Sequence, residues 1–420
     1  MKDHAQIGHE LDLFHLSPVV GKGLPLLTPR GSTILRILKR FVEDEEIRRG
    51  YEYTNTPFLA SDQLYRISGH WDLYRDNMFL IPDNEGKPGE SFLALRPMTC
   101  PFQFQLYLRK GRSYRDLPIR YAETSYLFRN EASGALHGLI RTRQFTLSEG
   151  HIICRPDQVA DEFLAALALV KYITTSIGLS GCWYRLSTRG EEVGGKYIDD
   201  PAAWEQSESL LQELLDKTGE SYRIAPGEAA FYGPKLDIQY KDAWGREETL
   251  FTLQLDFALA GRFGMTYINQ AGKPVPPLII HRSSIGCYER TLALLLEHYQ
   301  GQLPFWLAPE QIRLLPITEL GLSAATKLRE QLSEHGVRSS VDSRLESLGR
   351  RIQDAHQLMI PLMVIIGERE AVNDDVSIRL YGQKESLTMK TAVFTEWICQ
   401  ASRLRIVHLE VQTKPTKHTH

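Results

Sequence analysis

The sequence predicts an α+β domain built around an antiparallel sheet, followed by a small, mostly parallel α/β domain. Before residues 303–311, strand-like segments cluster between long helices and do not alternate with them. After that segment, strands and helices alternate with short connections, which is typical of α/β domains. The chain has 420 residues, which is too long for one ordinary core, so we expect two domains.

The first domain opens with a predicted helix at residues 32–49, where apolar side chains recur at helical spacing until Gly50 ends the pattern. A strand of β-forming residues follows at 51–57 and ends at a proline. The remaining elements predicted for this domain are strand 145–154, helix 156–177, strand 182–186, helix 200–218, strands 236–240, 248–257, 265–269 and 278–280, and helix 284–297.

The second domain is predicted from strands and helices that alternate over a shorter stretch of the chain. Its elements are strand 312–317, helix 322–334, strand 338–341, helix 348–357, strands 362–366 and 376–380, and helix 392–404. We therefore divide the chain into a first domain at 1–305, a second domain at 306–412 and a disordered polar tail at 413–420.

Composition excludes several classes of protein. Hydrophobic residues make up 42% and charged residues 24% of the chain, as in soluble globular proteins. No segment approaches the roughly 18 uninterrupted apolar residues of a membrane span, and the N-terminal residues carry no signal-peptide core. The 5 cysteines are scattered and lack CxxC spacing, which argues against a disulfide framework or a local zinc ribbon. These features predict a cytoplasmic protein without a membrane partner.

The net charge of −3 conceals a basic segment. Residues 109–143 contain eight lysines and arginines against three acids. Such an excess suits a polyanionic ligand. An ordinary solvated face is the alternative, and charge counting alone favours it.

Part of this basic segment has the pattern of a nucleotide-binding hairpin. Phe128-Arg-Asn-Glu131 precedes a short turn, and the return at 139–145 carries Arg141 and Phe145. Arginine pairs with phosphate oxygens in a fixed fork, and an aromatic face can stack on a purine. A charged surface hairpin is the alternative interpretation.

Two further sets of residues could bind a ligand or a metal ion, but their spacing in the sequence cannot establish this. Arg290 follows Gly286 at the opening of an apolar helix, where backbone N–H groups favour anions, although it could be an ordinary surface ion. Cys100, His151 and His281 are possible metal ligands. Each lies beside an apolar run, where cysteine and histidine are usually core residues, and ligands so distant in sequence cannot be joined by spacing.

These segments, in this order, resemble the signature motifs of class II aminoacyl-tRNA synthetases, and in detail those of the threonyl-tRNA synthetases. Motif 1 is matched by residues 29–57, motif 2 by residues 128–145 and motif 3 by residues 286–290. Further short segments that resemble those of the family occur at residues 68–71, 77–79, 113–118, 230–235, 253–257 and 306–309. The resemblance covers nearly the whole chain. It implies the class II antiparallel sheet flanked by helices, followed by an anticodon-binding domain.

The resemblance also implies roles for individual residues. Arg129 and Arg290 would act in catalysis by holding phosphate groups of ATP. The residues implied to bind ATP are Arg129, Glu131, Arg141, Phe145, Gln254 and Arg290. Those implied to border the amino acid are Glu149, Tyr232 and Lys235, and those implied to read the anticodon are Arg344, Glu370, Arg379 and Tyr381. Cys100, His151 and His281 match the three ligands of one zinc ion per chain, and Mg²⁺ would accompany ATP.

The implied activity is a threonine–tRNA ligase that forms threonyl-adenylate and passes threonine to tRNA(Thr). Its partners would be ATP, threonine, tRNA(Thr) and a second copy of the chain in a homodimer. Relatives usually carry an N-terminal editing region, and we expect this form to lack it. Two other hypotheses remain: a paralogue that activates an amino acid for a non-tRNA acceptor, and a non-catalytic binding module.

This chain departs from the usual family pattern at several positions. Gln103 follows Cys100 where a histidine is common, and Leu147 replaces a glutamine. Glu149 stands where an aspartate usually holds the substrate amino group, so the charge persists on a longer side chain. Tyr381 replaces a frequent arginine in the second domain.

Overall fold

The computed structural model describes residues 1–83, 91–190, 197–242 and 244–410. In the first part of the chain, groups of short and long strands lie between helices. Its elements are α1 (His4–Glu10), β1 (Phe14–His15), β2 (Leu26–Leu27), α2 (Pro29–Arg48), β3 (Glu52–Tyr53), β4 (Leu59–Ser61), α3 (Asp62–Ser68), α4 (His70–Tyr74), β5 (Leu80–Pro82), β6 (Phe92–Leu95), α5 (Cys100–Leu108), β7 (Ile119–Phe128), β8 (Gln144–Cys154) and α6 (Val159–Ser176). It continues with β9 (Trp183–Thr188), α7 (Pro201–Thr218), β10 (Tyr222–Pro226), β11 (Lys235–Lys241), β12 (Glu247–Asp256), α8 (Leu259–Arg262), β13 (Tyr267–Ile268), β14 (Pro274–Val275), β15 (Leu278–Cys287) and α9 (Tyr288–His298).

An eight-stranded sheet organises this domain, in the order β10-β9-β11-β12-β15-β8-β7-β3. Its inner pairings are antiparallel, and only the outer pairs β9–β10 and β3–β7 are parallel. The predicted antiparallel α+β architecture is thereby confirmed. The long strands β7, β8, β12 and β15 form the middle of the sheet and carry most of the chemically interesting residues.

Helices α2, α6 and α9 cover one face of the sheet. Their apolar residues, such as Leu38, Phe163 and Leu295, belong to one buried cluster with the sheet. Helix α2 begins where Thr28 accepts a hydrogen bond from the N–H of Gly31, with Pro29 in the first turn. On the opposite face, α5 and α8 cover only part of the sheet. The uncovered part is a cleft.

The second domain contains β16 (Ile312–Pro316), α10 (Glu319–Glu334), β17 (Ser339–Val341), α11 (Leu348–Gln357), β18 (Leu362–Ile366), α12 (Glu368–Asn373), β19 (Asp375–Leu380), β20 (Leu387–Lys390) and α13 (Thr391–Arg403). Its sheet has the order β17-β16-β18-β19-β20. Two pairings are parallel and two antiparallel, so the sheet is mixed where the sequence predicted a mostly parallel one. Helix α11 packs on one face, and α10, α12 and α13 pack on the other.

Three predicted elements differ from the structure. The helix expected at 284–297 begins at Tyr288, because the preceding residues continue β15 and Cys287 pairs with Leu147. The strand expected at 51–57 is only Glu52–Tyr53, since beyond it the Thr56 hydroxyl bonds to the carboxylate of Glu123. The strand expected at 265–269 is the two-residue β13.

The two domains touch through the segment that follows α13. The guanidinium of Arg405 lies 4.4 Å from the centre of the Phe41 ring, and its Nη1 is 3.6 Å from Oε1 of Glu45 on α2. The predicted boundary between 305 and 306 stays a prediction. The predicted tail at 413–420 lies outside the described residues. Within the described ranges, none of the helices combines the length and apolar character needed to cross a bilayer.

Candidate functional site

The cleft on the open face of the sheet has a volume of about 360 Å³ and gathers most of the residues singled out in the sequence. Eleven of them line it: Cys100, Arg129, Glu131, Arg141, Phe145, Glu149, His151, Tyr232, Gln254, His281 and Arg290. They come from five elements (α5, β8, β12, β15 and α9), from the turn before β11 and from the loop of the motif 2 hairpin. Lys235 is the one predicted residue of this domain that is not part of the lining.

Strand register brings the two histidines together. His281 on β15 pairs directly with His151 on β8, and Gln254 on β12 pairs with His281 on its other side. Directly paired residues point to the same face of an antiparallel sheet, so all three reach the cleft. Cys100 is added by α5, which begins beside this row.

Cys100, His151 and His281 form a buried cluster whose potential ligand atoms all lie within 4.8 Å of one another. Each histidine uses one ring nitrogen for another partner. Nδ1 of His151 lies 2.5 Å from Oε1 of Gln103, and Nε2 of His281 lies 2.8 Å from Oδ2 of Asp256. The other nitrogen of each ring is left for a ligand. Such outer partners, which fix the ring orientation, are typical of metal-binding histidines.

Burial keeps two residues of this cluster in their neutral forms. Burial raises the pKa of the Cys100 thiol well above its usual value and lowers the pKa of His151. The histidine is therefore kept in its neutral, ligating form. The thiol would need a nearby cation to ionise in this buried environment. One sulfur and two imidazoles are a donor set that zinc accepts, and three protein ligands leave a position open.

The opposite end of the cleft is lined by arginines and an aromatic ring. The Arg129 guanidinium lies 5.0 Å from the centre of the Phe145 ring, and its Nε and Nη2 are 3.4 Å from the carbonyl of Pro97. Arg290 donates to the carbonyls of Ile140 and Thr249 at 3.2 Å. These contacts hold both guanidinium groups at the rim while leaving further donors for an anionic ligand.

Glu149 lies between the two ends of the cleft. Its Oε2 accepts a hydrogen bond from the backbone N–H of Thr99 at 2.7 Å. Burial raises the pKa of this carboxyl group, and the charge of Arg129 opposes that effect. Leu147, two residues earlier on β8, also lines the cleft. A carboxylate is thus present on the cleft surface near the histidine pair.

Two residues of the motif 2 arms interact with each other. Nη2 of Arg141 lies 3.0 Å from Oε2 of Glu131.

Tyr232 stacks on His281 with ring centres 4.9 Å apart, and its hydroxyl donates to Gln254. Lys235, by contrast, donates to the buried Asp237 at 2.8 Å. The structure separates it from the cleft lining.

Sequence reasoning assigned no role to several other cleft residues, among them His70, Met98 and Arg282. His70 lies in the segment 68–71, which resembles the family but carries no implied role. Burial lowers the pKa of His70 to about 4. Arg282 follows the candidate ligand His281 but forms a buried ion pair with Glu46 of α2. Their proximity to recognised residues was the only signal in the sequence.

Comparison with known proteins identifies both domains. The model of the tRNA synthetase class II core domain (G, H, P, S and T) matches residues 83–299, and that of the anticodon-binding domain matches residues 311–400. A crystal structure described as the RNA-binding domain of threonyl-tRNA synthetase from Cryptosporidium parvum Iowa II superposes with a TM-score of 0.89 and 32% identity, covering 98% of this chain and 100% of that one. The chain belongs to the threonyl-tRNA synthetase family of class II.

Other family members are similarly close. A threonine–tRNA ligase of Clostridium perfringens is 50% identical over 398 residues, which are 94% of this chain and 62% of that protein. The chain thus spans less than two thirds of the length of the curated relatives that it matches. The structure of a putative threonyl-tRNA synthetase from Aeropyrum pernix superposes with a TM-score of 0.82 and 28% identity, over 96% of this chain and 97% of that one.

The second domain of this family member divides the four predicted anticodon residues between its two faces. Arg344 bonds to Asp354 on α11, Tyr381 lies 5.2 Å from the ring of His356 on the same helix, and the charge of Arg379 acts on His356. Glu370 instead caps the start of α12 and lines a groove between α10, α12 and α13. Arg344, Arg379 and Tyr381 therefore lie on the α11 face of the domain, and Glu370 lies on the other face.

Proposed function

We propose that this chain activates threonine with ATP and transfers it to the 3′ end of tRNA(Thr). The observation that carries the proposal is the convergence of Cys100, His151 and His281 with Arg129 and Arg290 in one cleft. A metal-ligand set beside arginines suits a small polar amino acid at one end and a nucleotide at the other.

Recognition of the amino acid is assigned to the buried cluster. Zinc held by Cys100, His151 and His281 would have coordination positions open for the amino and hydroxyl groups of threonine. Glu149 would accept a hydrogen bond from the same amino group, which binds zinc in its neutral form, since the carboxylate lies on the same strand as His151. Tyr232 borders the same space through its stacking on His281. Lys235 would contact the amino acid only after its ammonium group breaks the hydrogen bond to Asp237.

Adenylate formation requires little covalent work from the protein. The threonine carboxylate attacks the α-phosphate of ATP, and pyrophosphate leaves. Arg129 would neutralise charge at the α-phosphate, Arg290 would hold the γ-phosphate, and Mg²⁺ bound with ATP would neutralise further negative charge. Phe145 would stack on adenine, with Glu131, Arg141 and Gln254 lining the nucleotide pocket. Catalysis then depends on position and charge more than on proton transfer.

The second domain is proposed to bind the tRNA anticodon. Arg344, Arg379 and Tyr381 lie around α11, where guanidinium groups and an aromatic ring could contact unstacked bases. Glu370, on the other face, remains a candidate that needs separate testing. We also propose a cytoplasmic homodimer formed through α2 and β3, which match motif 1. A monomeric mass by sedimentation at micromolar concentration would exclude this dimer.

The deciding experiment is threonine-dependent exchange of pyrophosphate with ATP, followed by charging of tRNA(Thr). Exchange together with charging supports the ligase. Exchange without charging would favour a paralogue that serves a non-tRNA acceptor, and no exchange would favour a non-catalytic binding module.

A further inference from the structure

His4, in the first helix, connects two segments that border the cleft. Its side chain is completely buried. Nδ1 lies 2.7 Å from Oε1 of Glu297 on α9, and Nε2 accepts a hydrogen bond from the backbone N–H of Leu139 at 3.2 Å. Helix α9 carries Arg290 in its first turn, and Leu139 belongs to the returning arm of the motif 2 hairpin.

These two contacts determine which ring nitrogen of His4 carries the proton. The Leu139 amide can only donate, so Nε2 must present its lone pair. In the neutral ring the proton is therefore on Nδ1, which donates to the Glu297 carboxylate. Both links are buried. Loss of the Nε2 link would leave the buried N–H of Leu139 without a partner, which costs more than the loss of an exposed hydrogen bond. Oε1 of Glu297, by contrast, would still accept from the backbone N–H of His4 at 3.1 Å.

The motif 2 hairpin packs closely against the imidazole ring of His4. Gly138 has a φ of 49°, and a Cβ at that position would overlap Nε2 of His4. The His137 ring meets the His4 ring edge-on, with centres 5.1 Å apart. A larger residue at 138 would thus be strained in its backbone and would also push the hairpin away from His4.

The segment held by His4 leads directly into the cleft. Ile140, Arg141 and Thr142, which follow Leu139, all line it. The carbonyl of Ile140 is bound by Nε of Arg290 at 3.2 Å. Helix α9 therefore holds this segment at two successive residues: directly through Arg290, and through His4 from Glu297 near its other end.

We propose that His4 is a positioning residue that fixes the nucleotide-facing arm of the motif 2 hairpin against α9. His4 does not touch the cleft itself, and it acts through Leu139. The identity of the nucleotide as ATP rests on the proposed function, but the link between His4 and Leu139 does not.

Two substitutions separate the two hydrogen bonds. His4→Gln retains an acceptor near the position of Nε2, and His4→Asn retains a donor near the position of Nδ1. The same two substitutions at His9, which is exposed on the same helix, are matched controls. Hydrogen exchange of the peptide that contains Leu139 measures the link directly. The KM for ATP and the KM for threonine in pyrophosphate exchange measure its effect at each end of the cleft.

We expect His4→Asn to speed exchange at Leu139 and to raise the KM for ATP roughly fivefold to tenfold, the size expected for one buried hydrogen bond. The KM for threonine should stay within about twofold, because the Cys100 cluster is at the other end. His4→Gln should stay near wild type in both measurements. Gly138→Ala, which keeps His4 but displaces the hairpin, should resemble His4→Asn.

Unchanged exchange at Leu139 in both His4→Asn and Gly138→Ala would overturn the proposal, as would equal effects of the Asn and Gln variants. If the wild-type chain shows no threonine-dependent activity, the proposed function fails, whereas hydrogen exchange at Leu139 still decides the role of His4.

Discussion

Arg282 lies directly against the backbone of Gly150. A Cβ on Gly150 would stand 2.5 Å from Cζ of Arg282, whose guanidinium also covers the ring of Tyr51 at 4.1 Å. Gly150 lies between Glu149 and the candidate ligand His151, and Arg282, which pairs directly with Gly150, follows the candidate ligand His281. The absence of a side chain at Gly150 therefore leaves room for the Arg282 guanidinium beside the paired histidines.

Substitution of Gly150 by alanine should disturb this fit. We expect the free energy of unfolding to fall by about 1–3 kcal/mol, because an added methyl group would force the buried guanidinium aside. Denaturant unfolding measures the change. Gly111→Ala is the control, since nothing lies within 4 Å of a Cβ at Gly111. A Gly150 variant as stable as the Gly111 variant would contradict the steric role given to Arg282.

Zinc should be bound at about one ion per chain and should depend on Cys100. Cys100→Ala should lose the metal and threonine-dependent exchange together, because two imidazoles alone hold zinc weakly. Metal analysis of purified protein checks the first expectation. Cys182→Ala, which removes a thiol far from the cluster, should retain the metal. Zinc content unaffected by Cys100→Ala would rule out the proposed ligand set.

Arg129→Ala and Arg290→Ala should each lower pyrophosphate exchange by at least about a hundredfold, since each removes charge from the proposed phosphate site. Neither side chain belongs to the apolar core, so circular dichroism should still report a folded protein. Arg115→Ala, at an exposed arginine, should leave exchange unchanged. Near-normal exchange by either cleft variant would mean that its motif is wrongly assigned.

Amino-acid discrimination should reflect binding of a hydroxyl group. Valine should be rejected strongly, because a site that binds a hydroxyl is left unfilled when none arrives. Serine should be activated at a cost of only about 1–3 kcal/mol relative to threonine, the value of a lost methyl group. The values of kcat/KM for the three amino acids decide this. Valine activated as well as serine would indicate a site that recognises shape alone.

Arg379→Ala should raise the KM for tRNA about tenfold or more without changing pyrophosphate exchange, as expected for the loss of one base contact in a separate domain. Arg403→Ala is the matched control, because Arg403 is an exposed cation on the opposite helical layer. Glu370→Gln tests the remaining candidate. If charging kinetics do not distinguish Arg379→Ala from Arg403→Ala, the α11 face does not read the tRNA.

The sequence predicted most long elements because their apolar periodicity is strong. The strands β8 and β12 and the helices α7 and α11 were located within a few residues. The short elements α12 and β20 were missed, since α12 is mostly polar and both carry too few residues to display a period. The extent of β15 was also missed, because its pairing with β8 depends on a strand that is distant in sequence.

The metal cluster could not be derived from spacing, since strand register alone brings His151 beside His281. The family resemblance supplied these residues, and the structure brings them together. Lys235 was expected at the amino-acid pocket but bonds to Asp237, a carboxylate that also accepts from Arg185 and Thr252. The role of His4 was invisible, because a histidine in a polar opening segment gives no sign of its burial.

Cys100, His151 and His281 come from a helix and two strands that are far apart along the chain, and this has a consequence for folding. Contacts between distant segments form late, after the entropy of closing long loops has been lost. The unfolded chain offers no local pair of these ligands, so tight metal binding should appear only once β8 and β15 have paired. The rate at which metal is captured during refolding would then report on assembly of the central sheet.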